Sequence, residues 1–593
     1  MQVAGQQCVR RDALYLGGQD NALFACFHAA DQRPTHDCVA VICNPIGYEY
    51  VHSHRTVRHL ADQFAEAGIP ALRFDYHGTG DSPGTDLDPD RLSRWLDDID
   101  VAIAAARSLS GRKQVCLVGL RLGTLLAALV SERSPVDYLV LWSPCASGRR
   151  YVREMQALAL AMENSGAAAP DVLESAGFCM SLQTQEQLRA IDLLERNLRA
   201  RERALVLVQD DTKSGAGLAD HLKGCGIETD VVEFTGYVDM MAEPQNTVVP
   251  GAAVEEIVCW VSRHAARCAV GLAPPNRTLA TQANLPFSGA DQRALQLTET
   301  ACRFGEGQSL LGIHCRASTT DSASPTVVFF NSGVVHRVGP NRLYVELARQ
   351  LAAQGFSTFR CDLEGIGDSV LRQPGRENHS YPATASRDAA AALAFLKEHF
   401  GATAFVLTGL CSGAYTSFTA GLSAEEFLIN ELILINPLTF LWKEGTSLDT
   451  QHFRAVAHYK GTVRRRESWR KLFSGKVNVF NLLNVVRSYL KKQLESYRNI
   501  AAERWVPSAA PILSRQLKQL FEQGRKVTLV VASGDPGWDM LTFNARHTAQ
   551  RAVKSGDLQV YFIAQADHTF TSGSARQRLC AQLRAHLGAR YQG

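Results

Sequence analysis

A tandem duplication constrains this chain more than any other feature. The segment CVAVICNPIG from Cys38 and the segment PTVVFFNSGV from Pro325 are each an apolar run of strand length that closes on an asparagine and a polar, glycine-containing loop. Asn44 pairs with Asn331, Asp75 with Asp362, Gly78 with Gly365 and Ser82 with Ser369, all at a spacing of 287 residues. Gly119 and Gly409 follow at 290, then Pro144 and Pro437 at 293. Kept order with slowly drifting spacing is the mark of an internal repeat. Within each unit, strand-length apolar runs alternate with helix-period segments. That pattern predicts parallel strands joined by crossover helices, so two tandem α/β domains, each a doubly wound, mostly parallel sheet. Gly271, Pro274, Pro275, Pro286 and Gly289 punctuate a stretch of weak periodicity. Residues 266–293 therefore read as a linker between a first domain, 1–265, and a second, 294–593.

Composition narrows the class. The chain has 593 residues, 46% hydrophobic and 20% charged, an ordinary globular balance. Its net charge of +3 disfavours a general nucleic-acid binder. No apolar run reaches about 18 residues without a charge or a breaker, so no membrane span is expected. No apolar region of a secretory signal follows the N-terminal residues MQVAGQQCVRR. The 15 cysteines are odd in number, scattered and free of CxxC pairs, which points to a reducing, cytoplasmic setting. No motif calls for a metal or a redox cofactor.

The chemistry concentrates in Phe405-Val-Leu-Thr-Gly409-Leu410-Cys411-Ser412-Gly413, an apolar strand running through a Gly-x-Cys-x-Gly turn into a helix. A nucleophile on so sharp a turn needs glycines beside it to avoid clashes. The helix N-terminus beneath it supplies free N–H groups and positive potential, which favour a thiolate. Cys411 is the candidate nucleophile. Ser412 lies off the apex and is not expected to attack.

With this elbow and the Gly365-Ile-Gly367-Asp368-Ser369 loop, the sequence resembles the α/β-hydrolase superfamily over both halves. Cysteine at the elbow is similar to dienelactone hydrolases and to some thioesterases of polyketide and peptide assembly. The Gly119-Leu120-Arg121-Leu122-Gly123 of the first half resembles the small hydrolases encoded with exosortase systems. The resemblance implies an acid and then a histidine after the nucleophile. Val527-Thr-Leu-Val-Val-Ala-Ser-Gly534-Asp535-Pro536 reads as a strand ending in Gly-Asp-Pro, so Asp535 fits the acid, with Asp539 as runner-up. His568 follows the last strand and fits the general base. His336 precedes the nucleophile and reads as a substrate-side or structural residue. His568, oriented by Asp535, would take the Cys411 proton or hold the thiolate as an ion pair. The backbone N–H of Ser412 and one from Ser332-Gly333-Val334 would hold the oxyanion.

The first half has lost this machinery. Arg121 stands at its elbow, and arginine stays protonated and cannot attack. Residues 222–263 contain no histidine. This half reads as a degenerate hydrolase. Arg121 is expected either to pair with Asp210 or Asp211, or to form an anion site with His52 and His54 nearby.

Hydrolase topology places a cap after the strand that follows the elbow, here about 146–203 and 438–526. The first segment is charge-balanced. The second carries 18 Lys and Arg against 6 Asp and Glu, a net +12, which leaves −9 for the rest. Arg464, Arg465, Arg466 and Trp469 form its densest patch. Such a patch suits an acidic acyl carrier protein or the phosphates of coenzyme A. The apolar FNLLNVVRSYL stretch from Phe480 reads as cap core, which ranks a lipid surface lower.

The expectation is therefore an acyl-transfer enzyme with a Cys411–His568–Asp535 triad, acting on acyl thioesters as a thioesterase or acyltransferase. Ester or lactone hydrolysis of the dienelactone hydrolase type is the enzymatic alternative. A non-catalytic scaffold is the alternative of a different class. The acyl chain, the acceptor and the oligomeric state, a homodimer included, stay open.

Overall fold

The computed structural model describes residues 9–18, 22–30, 35–162, 171–209, 214–268, 279–288, 294–320, 323–372, 377–443 and 510–592. The repeat becomes two sheets. In space, the strands of the first run Arg10–Leu16, Leu23–Ala29, Ala71–Phe74, Cys38–Cys43, Gln114–Leu120, Tyr138–Trp142, Arg203–Gln209 and Glu228–Phe234. The strands of the second run Gln282–Ser288, Ala294–Phe304, Leu310–Ala317, Thr358–Asp362, Thr326–Phe329, Phe405–Leu410, Ile429–Ile435, Lys526–Ala532 and Leu558–Ile563. In each sheet the leading strands pair antiparallel and the rest are parallel. The central runs, such as CVAVIC and FVLTGL, are buried throughout, as parallel strands covered on both faces must be. Helices supply the two cover layers, and each half has a core on either face of its sheet.

Two boundaries differ from the sequence expectation. Residues 282–288, read as linker, form the edge strand of the second sheet and pair antiparallel with Ala294–Phe304. Pro286 sits within that strand, and an edge position tolerates it because no ladder hydrogen bond is needed on the open side. Within the expected cap, helix Ile512–Glu522 is a crossover helix instead. Leu513, Leu517 and Leu520 recur on one face and enter the core of the second half. In the first half, the segment after strand Tyr138–Trp142 carries helix Gly148–Ala161, a hairpin of Val172–Ser175 and Phe178–Ser181, and helix Leu182–Arg189.

The halves join through their antiparallel extensions. Tyr15, Phe24 and Cys26 of the first share a core with Leu285, Leu311 and Ile313 of the second. Next to it the repeat is used reciprocally. Arg73 reaches Asp368 of the second half at 2.5 Å. Its repeat equivalent, Arg360, pairs with Asp81 of the first half. Arg337 lies between them, 2.8 Å from Asp81, 2.8 Å from Asp362 and 3.0 Å from Asp368. Glu299 closes the set with Arg349 and Arg360. The Gly-x-Gly-Asp-Ser loops of both halves are thus interface elements. Burial opposes ionisation of Asp368, but Arg73, His54 and Arg337 hold its carboxyl well below the usual range.

Breaking one partner of such a network leaves uncompensated buried charge. Arg360→Met is expected to cost about 3–5 kcal/mol. The check is chemical denaturation with a probe in each half, and both transitions are expected to move.

Candidate active site

The elbow forms as its spacing requires. Cys411 has φ 59° and ψ −111°, a region that residues with a Cβ rarely enter. Its N–H donates to the Ile435 carbonyl at 2.9 Å, and the Leu410 N–H donates to the Tyr344 hydroxyl at 2.7 Å. A Cβ on Gly409 would lie 2.5 Å from the Gly413 carbonyl carbon, and one on Gly413 would lie 2.5 Å from the Phe330 oxygen. Both glycines are needed for helix Ser412–Ser423 to approach the sheet this closely.

The structure brings the expected acid and base to this point. His568 stands in the loop between strand Leu558–Ile563 and helix Gly573–Tyr591. Its Nδ1 is 2.6 Å from Asp535 Oδ2. Asp535 is fixed from its other oxygen by the Gly537 N–H at 3.2 Å. The His568 Nε2 is buried and faces the Cys411 thiol. Burial alone would lower the His568 pKa, but the hydrogen bonds to Asp535 and Cys411 and the negative charge of both push it up to about 10. Asp539 is exposed on the first turn of helix Gly537–Ser555, while Asp535 occupies the place beside His568.

Two expected site residues take other places. Gly333 donates its N–H to the Ser412 hydroxyl at 2.8 Å, so that donor is already committed. The Ser412 hydroxyl is thereby used to hold the loop carrying Val334. His336 does not face substrate. It is buried against the first half, stacked on His54 with ring centroids 4.0 Å apart, and 3.3 Å from the Tyr50 hydroxyl. Arg464, Arg465, Arg466 and Trp469 lie outside the described residues.

The structure adds residues that the sequence did not single out for the site. The Tyr381 hydroxyl is buried and lies beside the Cys411 thiol. Burial and the neighbouring Cys411 charge push its pKa upward. Its ring stacks on Trp442 at 4.6 Å and meets Tyr415 edge-on at 5.4 Å. Trp442 lies at the start of the expected cap, so a wall of aromatic rings flanks the nucleophile. Asn436 donates to the His568 carbonyl at 2.7 Å and accepts from the Ala532 N–H at 2.7 Å. It ties the histidine loop to the strand that carries the acid.

In the first half the elbow persists without a nucleophile. Arg121 has φ 52° and ψ −120°, and a Cβ on Gly123 would clash with the Cys43 carbonyl. Arg121 is 2.6 Å from Glu49 and 2.6 Å from Glu154 of the cap helix. Two carboxylates already occupy its guanidinium, so it fastens the cap and does not bind an exogenous anion. Asp210 and Asp211 lie outside the described residues. His52 bonds the Met241 carbonyl, and His54 belongs to the interface.

Fold and elbow together define an α/β hydrolase. Residues 49–203 and 324–498 match the family model of the serine aminopeptidase S33 hydrolases. One match falls in each half and together they span more than half of the chain, so this chain belongs to that family. No curated protein matches the sequence. Among solved structures it is similar to Est1E from Butyrivibrio proteoclasticus, at 17% identity and TM-score 0.32, over 42% of this chain and 96% of that one. It is also similar to XC6422 from Xanthomonas campestris, described as a serine hydrolase without lid, at 14% identity and TM-score 0.29, over 43% and 93%. A third is the proline iminopeptidase of Mycobacterium smegmatis, at 14% and TM-score 0.31, over 42% and 97%. Where the family name speaks of serine, this chain has Cys411. Among the described residues no helix is long and apolar enough to cross a membrane.

The raised His568 pKa has a definite sign. The stabilisation from its partners is complete below the unfolded value of 6.5 and is lost as the pH climbs through about 10. An NMR titration of the His568 ring protons is expected to show a midpoint near 10. Asp535→Asn and Cys411→Ala should each lower it. An unchanged midpoint in both variants would contradict the geometry.

Proposed function

We propose that the second half transfers acyl groups through a thioester on Cys411. The observation that carries this reading is the His568–Asp535 pair aimed at a cysteine on a strained elbow. The thiolate attacks the carbonyl of an acyl thioester, and a tetrahedral oxyanion forms. The Ser412 and Val334 N–H groups are the donors assigned to it. The tetrahedral intermediate collapses, the carbon–sulfur bond to the departing thiolate breaks, and His568 supplies the proton that thiolate takes up. Water, an amine or an alcohol then attacks the acyl-cysteine with His568 as base, and Cys411 leaves as thiolate. Exchange between thiolates of similar basicity costs little, which favours thioesters over plain esters as donors. The aromatic wall of Tyr381, Tyr415 and Trp442 suits an apolar acyl portion beside the thiol.

Intact-protein mass spectrometry after mixing with short and medium acyl-coenzyme A thioesters tests the reading. A stoichiometric acyl adduct is expected on the wild type and none on Cys411→Ala. An adduct with aryl esters or lactones, but with no thioester, would transfer the assignment to ester hydrolysis. No adduct with either donor class, together with no turnover, would favour a scaffold.

The basic patch supports an acidic donor, either an acyl carrier protein or the phosphates of coenzyme A. Reversing charge at Arg464, Arg465 and Arg466 is expected to raise KM for the carrier-bound donor at least several-fold. It should leave a small uncharged thioester unaffected. Equal KM values for both donors in variant and wild type would remove the patch from recognition.

A further inference from the structure

Both catalytic loops of the second half are held by the first. The loop that carries Val334 runs on into His336 and Arg337. His336 stacks on His54 and meets Tyr50, both on helix Tyr48–Glu66 of the first half. His54 is held in turn by Asp368 at 3.6 Å. Arg337 is paired with Asp81 of the first half, and its backbone N–H donates to Asp362 at 2.6 Å. Farther along, Arg342 donates to the Gly80, Ser82 and Gly84 carbonyls.

The histidine loop is braced by a different element. In the first-half cap hairpin, Glu174 accepts a hydrogen bond from the Gly573 N–H at 2.6 Å, five residues beyond His568. Where that hairpin turns, Gly177 has φ +81° and sits so close to the Thr571 carbonyl that a Cβ would collide with it. Thr571 is also the residue whose N–H and hydroxyl tie back to Asp567, next to His568.

We propose that the degenerate half is a positioning domain. It sets the oxyanion loop through His54 and Asp81 and sets the histidine loop through Glu174, so that the catalytic half is complete only in its presence. This rests on the acyl-transfer reading of Cys411. The positioning residues touch no substrate. They act by holding N–H groups and an imidazole where the reaction needs them, and misplacement of about 1 Å costs on the order of a hundredfold in rate.

Two reactions of one thiol separate the two braces. Alkylation by iodoacetamide needs an ionised, accessible Cys411 and no oxyanion hole. Acylation by a thioester needs both. His54→Ala is expected to slow single-turnover acylation on the order of tenfold to a hundredfold, while Cys411 alkylation stays within about twofold. His54→Phe, which keeps a flat ring against His336, should restore acylation. Glu174→Ala should slow both reactions and lower the midpoint of His568 titration, while Glu174→Gln, which keeps the acceptor oxygen, should behave as wild type.

Wild-type rates for both reactions in folded His54→Ala and Glu174→Ala would overturn the proposal. If either alanine variant does not fold, His54→Leu or Glu174→Ser takes its place and the same two rates decide, because a packing role alone predicts no difference between the two reactions. A wild type that alkylates rapidly but never acylates would instead remove the acyl-transfer reading. The Glu174 arm, read by alkylation and by titration, would still test the bracing.

Discussion

Arg337 sits where the two halves meet, and its guanidinium faces Asp81, Asp362 and Asp368 in a region closed to water. Around it Arg73, Arg349 and Arg360 balance the same carboxylates and Glu299. No member of this set is tolerable alone, since a buried charge without partners is strongly unfavourable. The members come from both halves, and Arg73 and Asp81 of the first are paired across the interface. The duplication supplied matching arginines and aspartates at equivalent positions. The interface uses them crosswise, Arg73 with Asp368 and Arg360 with Asp81.

That arrangement explains how one half could lose its chemistry and stay. The first-half elbow keeps its strained backbone and its close glycines while Arg121 is neutralised by Glu49 and Glu154. The strained turn survives as a fastening for the cap helix. The same cap sends Glu174 to the histidine loop of the second half. On the proposed reading, the elbow region of the first half serves as a support for the site of the second.

Much of this was legible in the sequence because the relevant physics is local. Apolar runs of strand length, a Gly-x-Cys-x-Gly turn and the order of Cys411, Asp535 and His568 depend on neighbours along the chain, and the structure places these three residues together. What escaped depends on contacts between segments far apart. The Gly-x-Gly-Asp-Ser loops read as hydrolase signatures, yet their aspartates are spent on the interface. His336 reads as either a substrate-side or a structural residue, and only the fold decides for the structural role, because the partner that stacks on it, His54, lies in the other half. Gly333 read as an oxyanion donor, and only the fold shows its N–H taken by Ser412. Tyr381 carries no motif at all. Nothing short of its packing on Trp442 and Tyr415 marks it. Pro286 reads as a linker signal in the sequence, yet an edge strand accepts a proline.

On the proposed chemistry, His568 activates one thiol among fifteen. Peptide-resolved alkylation by limiting iodoacetamide at neutral pH measures it directly, with each cysteine as an internal control for the others. Cys411 is expected to be modified first and fastest, and that advantage is expected to vanish in His568→Ala while the other cysteines keep their rates. Modification of Cys411 no faster than the rest, or an advantage unchanged in His568→Ala, would contradict it.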